Sequence, residues 1–255
     1  MKLLRLAWQL SLQEFLAYKT TSILTFILAT AFFSVEVITG FVYFTMGNQL
    51  NGWHQTDYLL LVTTISNIVY LYNIFFIVGH ENLSNKILTG ALDYDLTRPV
   101  NSYWYLVMNR IDIPSIINLA ISGGFSVILI RHETLNIYSI GLYLIAIGLG
   151  VGFIFLMNQI AISLNFWIDG FSALGGIIEN ATNLFSRPMP IFPQVIQIIF
   201  TFVFPILLVT NLPVMVFKNS NVILYLGYLA ILEILLFIVS KLMWKYGSQH
   251  YLSAN

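Results

Sequence analysis

The sequence predicts an all-α integral membrane protein of six transmembrane helices, on three observations. Of its 255 residues 58% are hydrophobic and only 9% charged, with a mean hydropathy of +0.83, whereas a soluble domain holds about a quarter charged residues. Several nearly uncharged runs reach the roughly 20 residues that a helix needs to cross about 30 Å of hydrocarbon. The sequence shows no alternating ten-residue strands, so the spanning elements are helices and not a barrel.

In residues 1–20, Leu3, Leu6, Leu10, Phe15 and Leu16 fall near one helical face, Lys2, Arg5, Gln9, Gln13 and Glu14 are interleaved, and Trp8 and Tyr18 suit a membrane interface. This predicts an interfacial elbow helix. The first span, 23–44, is too long for a signal-peptide core and holds a single acid, Glu36. A polar loop, 48–57, turns the chain back into span two, 58–78.

Residues 81–110 are the longest polar interruption between two apolar spans. Lys86, Arg98 and Arg110 stand there against Glu81, Asp93 and Asp95. Ile87, Leu88, Leu92 and Leu96 have the spacing of a short amphipathic helix, which Arg98-Pro99 should stop, because a residue before proline is pushed out of the helical region. This predicts a docking platform lying along the membrane surface. Span three, 113–130, has Pro114 in its first turn, where proline is tolerated. Span four starts near 137, and its Gly148 and Gly152 form a small-xxx-small pair that permits close helix approach.

Residues 165–216 admit two solutions. In one, 166–186 is span five despite Asp169, Glu179, Asn180 and Asn183, and 193–217 dips into the bilayer and returns, hinged at Pro205. In the other, 194–212 is span five and 166–193 stays on the cytoplasmic surface. Both give six spans. The last is 222–243, with Glu233 near its middle, and a tail, 244–255, follows. No internal repeat or soluble domain interrupts 1–255, which reads as one transmembrane domain. Basic residues favour cytoplasmic loops, and placing both termini inside gathers Lys2, Arg5, Lys19, Lys86, Arg98, Arg110, Lys241 and Lys245 there.

Composition also narrows the chemistry. A net charge of zero argues against nucleic acid as a partner, because phosphate binding needs an accumulated positive field. There is no cysteine, hence no thiolate chemistry. No G-x-x-x-x-G-K-[ST] loop is present, so ATP chemistry has to come from a partner chain. His54, His80, His132 and His250 are scattered, and His80-Glu81 lacks a second histidine one turn on, so neither a metal nor a cofactor is expected. No serine sits in a G-x-S-x-G elbow. The residues that do stand out are Glu36 and Glu233, because an acid inside hydrocarbon usually faces a cavity or a partner.

Six spans with both termini inside, the stretch G-A-L-D-Y-D-L-T-R-P at 90–99, and the proline-punctuated R-P-M-P-I-F-P at 187–193 leading to Pro205 and Pro213 together resemble an ABC-2 type transporter permease. The similarity is to the subgroup whose first cytoplasmic loop reads roughly G-x-L-D-x-x-L-x-R-P, matched here by Gly90, Leu92, Asp93, Leu96, Arg98 and Pro99. Trp244-Lys245-Tyr246-Gly247 with Tyr251 and Ser253 also resembles that subgroup's ending. The resemblance implies the transmembrane half of an ABC exporter, paired with a second permease chain, identical or a paralogue, and with separate ABC ATPase subunits. It implies that the loop after span two carries a coupling helix, with Ile87, Leu88, Leu92, Asp93, Leu96 and Arg98 as ATPase-coupling residues: Leu88 and Leu92 as anchors, Asp93 and Arg98 as a register-setting polar pair. It also favours the re-entrant hairpin at 193–217.

The function expected is export of an amphiphilic, lipid-like or peptide substrate across the cytoplasmic membrane. Two alternatives stay open: a proton-coupled carrier using Glu36 and Glu233, and a non-transporting scaffold or sensor. A carrier would more typically show inverted repeats and broken helices in both halves.

Overall fold

Apolar length sets helix length along this chain, and two long helices overrun it at one end. The computed structural model describes residues 2–46, 52–131, 136–168, 178, 181–218 and 221–251. Among these described residues all the regular elements are helical. Asp169, Glu179 and Asn180, most of 166–186, the loop at 48–51, His132-Glu133 and Ser253 lie outside the described residues.

Helix α1 (Lys2–Ala17) passes into α2 (Lys19–Thr45) through Tyr18, whose φ of −109° and ψ of 45° bend the chain. The next helix begins at a cap in which the His54 backbone N–H donates to Asp57 at 2.7 Å. It runs through α3 (Gln55–Tyr72), a π-helical turn (Asn73–Ile77) and α4 (Val78–Leu88). These 34 residues measure about 51 Å, so roughly 20 Å projects beyond a hydrocarbon layer of about 30 Å. Span two therefore continues well past residue 78.

A glycine stops it. Gly90 has φ +73°, the Ala91 N–H reaches the Lys86 carbonyl at 3.0 Å, and the Gly90 N–H reaches that of Ile87; this is a Schellman ending, which needs a residue at ease in the left-handed region. The amphipathic helix expected across Ile87 to Leu96 is thereby cut in two. Its first half ends α4, and its second is the single turn α5 (Asp93–Leu96), followed by α6 (Ser102–Tyr105).

Helix α7 (Ile113–Ile130) is the expected third span, capped by the Asp112 carboxylate, which accepts from the Ser115 N–H at 3.2 Å. Helix α8 (Ile137–Leu164) follows. Next come α9 (Gln194–Ile198) with a π-helical extension (Ile199–Val203), α10 (Ile206–Met215) and α11 (Val222–His250). Among the described residues five helices are long and apolar enough to span a membrane, or six if the bent pair Gln194–Val203 and Ile206–Met215 counts as one.

That pair is bent by 93° at Phe204-Pro205, where Phe204 leaves the helical region, as a residue before proline should. The apolar stretch 194–212 is thus two helices at nearly a right angle, not one straight helix. Both ends of 187–218 reach the N-terminal end of α3. Arg187 donates to the Tyr58 hydroxyl at 3.3 Å, while Lys218 pairs with Asp57 and donates to the Gly52 carbonyl. Helix α10 is buried along almost its whole length, whereas Val195, Ile198, Phe202, Val203 and Phe204 are exposed.

Helix α3 lies at the centre of the bundle, against α2, α7, α8 and α10, and α8 in turn packs on α11. Polar side chains pin these faces together. Asn67 on α3 donates to Ser126 at 2.8 Å and accepts from Ser122 at 2.6 Å, Thr64 meets the Tyr143 hydroxyl at 2.8 Å, and Thr30 donates to Asn118 at 2.8 Å. Such bonds serve membrane bundles because the lipid offers no competing partner. Of the expected glycine pair, Gly148 has open space around it; the close approach is at Gly152, where an added Cβ would lie 2.5 Å from Glu233.

Candidate functional site

The overrun of α4 and the matching overrun of α11 build a platform at one end of the bundle. Ile87, Leu83 and Leu92 fill its interior, and Leu96 is half-buried against them. The Leu92 N–H donates to the Tyr251 hydroxyl at 3.0 Å, so the end of α11 closes over the turn between α4 and α5. Further ties join α6 to α11: Tyr103 to Ser240 at 2.7 Å and Trp244 Nε1 to Ser102 at 3.2 Å.

Asp95 holds the platform's charge together. Its buried carboxylate accepts from Lys86 Nζ at 2.5 Å and lies 3.6 Å from Arg98 Nε. The Arg98 guanidinium lies over Tyr94 at 4.7 Å and over Tyr105 at 5.4 Å, and donates to the Tyr105 hydroxyl. Opposite charge and aromatic stacking both hold it in place.

The expected coupling residues fall in different settings. Leu92 is fully buried and presents no surface to a partner; it packs the protein's own core because Gly90 turns the chain inward. Ile87 is buried for the same structural purpose. Asp93 is exposed and makes no pair with Arg98, whose acid is Asp95. The i, i+3 spacing of Asp95 and Arg98 was the available signal for that pair. The outward rim consists of Leu88 (37% exposed), Tyr94 (71%) and Val100 (41%), with Asp93 beside them.

Behind the platform, His80 on α4 is buried between two elements. Its Nδ1 lies 2.7 Å from the Tyr72 hydroxyl and its Nε2 2.9 Å from Gln159 Oε1 on α8, and its ring stacks on Phe155. Asn165 donates to Ser84 one turn further out. These contacts tie α4, which carries the platform, to α8.

The two intramembrane acids sit in different settings. Glu36 on α2 forms a two-pronged pair with Arg187, at 2.5 Å and 3.2 Å, and the same guanidinium bonds Tyr58. Glu233 on α11 presses against Gly152 of α8, and its Oε1 is buried without a hydrogen bond among the described residues. Glu36 meets an arginine outside the helices and Glu233 a glycine of α8, and the structure does not bring the two acids into one site. Among the described residues no group of three or more acids and histidines could hold a metal ion.

No curated protein and no solved structure matches the chain. A family model does, described as an ABC-2 family transporter protein and matched over residues 25–255. That span takes in α2 from residue 25, every later membrane helix, the platform and both acids, and the chain accordingly belongs to the ABC-2 transporter family, a multi-pass membrane protein.

Proposed function

We propose that this chain is the permease subunit of an ABC exporter in the cytoplasmic membrane, with both termini inside. It moves an amphiphilic, lipid-like or peptide substrate outward, driven by ATP hydrolysed on separate ATPase subunits, and a second permease chain, identical or a paralogue, completes the path. What carries the reading is the platform: a family of transport subunits, and an exposed apolar rim of Leu88, Tyr94 and Val100 on a braced support that projects past the bilayer. The orientation is supported by Lys86, Arg98, Arg110, Lys241 and Lys245 standing towards that end. Arg131, Lys218 and, with a re-entrant hairpin, Arg187 fall on the outer side, where Asp57 pairs with Lys218 and Glu36 with Arg187. In this reading 193–217 is a re-entrant hairpin at the outer face, favoured by the return of Lys218 to the end of α3 where Arg187 also lies.

A pull-down in mild detergent tests the docking role. Losing a hot-spot anchor costs about 2 kcal/mol or more, at least tenfold in affinity. Leu88→Asp and Tyr94→Asp should therefore insert and fold normally yet lose the ATPase and its coupled hydrolysis. Leu92→Asp should instead unfold the platform. Full ATPase association by both rim variants would sink the assignment.

A further inference from the structure

Where α1 turns into α2, the start of α7 stands opposite and leaves a cleft of about 340 Å³. Its walls mix two kinds of chemistry. Glu14, Arg110 and Asp112 supply charge, and Phe15, Val78 and Pro114 supply an apolar floor where the spans begin. Tyr18, exposed at the bend, also lines the cleft, and tyrosine is enriched at bilayer interfaces.

The charged groups are not equally committed. The Asp112 carboxylate caps α7 through Ser115, and burial pushes it above the usual carboxylate range. Glu14 and Arg110 meet only at 3.7 Å, with side chains 56% and 33% exposed. A pair so long and so open contributes little, and among the described residues no other hydrogen bond engages the Arg110 guanidinium. A cation and a carboxylate therefore stand side by side, each with bonding capacity to spare, above an apolar floor.

We infer that this cleft binds the head group of an amine-bearing glycerophospholipid, with the phosphate on Arg110 and the ammonium on Glu14. A guanidinium forks onto phosphate oxygens in two parallel bonds. The carboxylate beside it rewards an amine and repels a purely anionic head group, which is how the site discriminates. The lipid glycerol and upper acyl carbons lie along Phe15, Val78 and Pro114. The inference needs only a membrane-embedded chain and is independent of ATPase docking.

The test uses the purified full-length chain in detergent, without ATPase, so failure of docking leaves it untouched. Short-chain phosphatidylethanolamine is titrated against matched phosphatidylglycerol, free phosphoethanolamine and inorganic phosphate, and binding is read by tryptophan fluorescence. Wild type should prefer the ethanolamine lipid to the glycerol lipid by at least about tenfold, the scale of one charge-assisted contact. Arg110→Gln should weaken both lipids at least about tenfold. Glu14→Gln should erase the preference while keeping the glycerol lipid. Ser22→Phe, which fills the cleft without altering a charge, should abolish both and decides the matter if Arg110→Gln fails to fold. Equal affinity of wild type for the two lipids, or unaltered binding by Arg110→Gln and Ser22→Phe, overturns the inference. Binding of free phosphoethanolamine as tight as that of the lipid overturns the lipid as occupant.

Discussion

Two ionic contacts whose basic partners are almost equally exposed hold opposite ends of this molecule. On the platform, Lys86 and Arg98 are 35% and 37% exposed and share the buried Asp95. In the membrane region, Arg187 and Glu36 are 33% and 38% exposed and share each other. The open third of each basic side chain faces a different medium. Beyond the bilayer it meets water, which screens charge; along α2, a span with only 6% of its central window buried, it meets hydrocarbon or another protein surface. Cations equally open to their surroundings are thus held with unequal energy, because the interaction between two charges scales inversely with the dielectric around them.

The largest expected effect breaks the membrane pair. Arg187→Gln alone leaves Glu36 charged in a span and should lower stability in lipid nanodiscs by about 3 kcal/mol, the scale of an uncompensated charge away from water. The double variant Glu36→Gln/Arg187→Gln should recover most of it. Thermal denaturation of all four cycle members gives the coupling. A coupling near zero would mean that Glu36 reaches water and that the contrast between the two ends is false.

Next comes the platform pair. Asp95→Asn should cost about 1–2 kcal/mol, since water partly rescues the two cations. Raising salt from low to about 1 M should shrink that loss, because the Debye length falls to about 3 Å, while the Glu36–Arg187 coupling should stay constant. Equal salt dependence of both would show that the two pairs share one medium.

The smallest effect sharpens the comparison by removing charge from it. Tyr251→Phe deletes the neutral bond from the Leu92 N–H on the platform, and Tyr143→Phe deletes the bond with Thr64 in the membrane core. Each should cost about 1 kcal/mol or less, so the two regions should look alike when read by unfolding midpoints. A loss above about 2 kcal/mol at Tyr143 alone would mean that the membrane core penalises polarity as such and not only charge.

Most of the fold was legible because a bilayer imposes a simple rule: apolar runs of sufficient length become helices. Span three matched its expected limits, and the span beginning at Ile137 began there. Span two did not end where its hydropathy did, because polar residues 79–88 keep a helix going once it is nucleated and only Gly90 halts it. The candidate site was half legible. The charged stretch at 81–110 stood out, but the direction each side chain faces did not. Leu88 and Leu92 are four apart and would share one face of an unbroken helix; the left-handed turn at Gly90 sends one outward and the other into the core.

The amino-acid sequence by itself determined that this is a helical membrane protein, where most spans start, and which segment between them is polar, since these depend on local composition and on the chain's own backbone hydrogen bonding. Tertiary structure alone decided which distant charges pair. Glu36 and Arg187 lie 151 residues apart, and Lys218 and Asp57 lie 161 apart. No local pattern marks such partners, because in hydrocarbon a charge is stabilised by whichever opposite charge the packing of other helices carries to its depth.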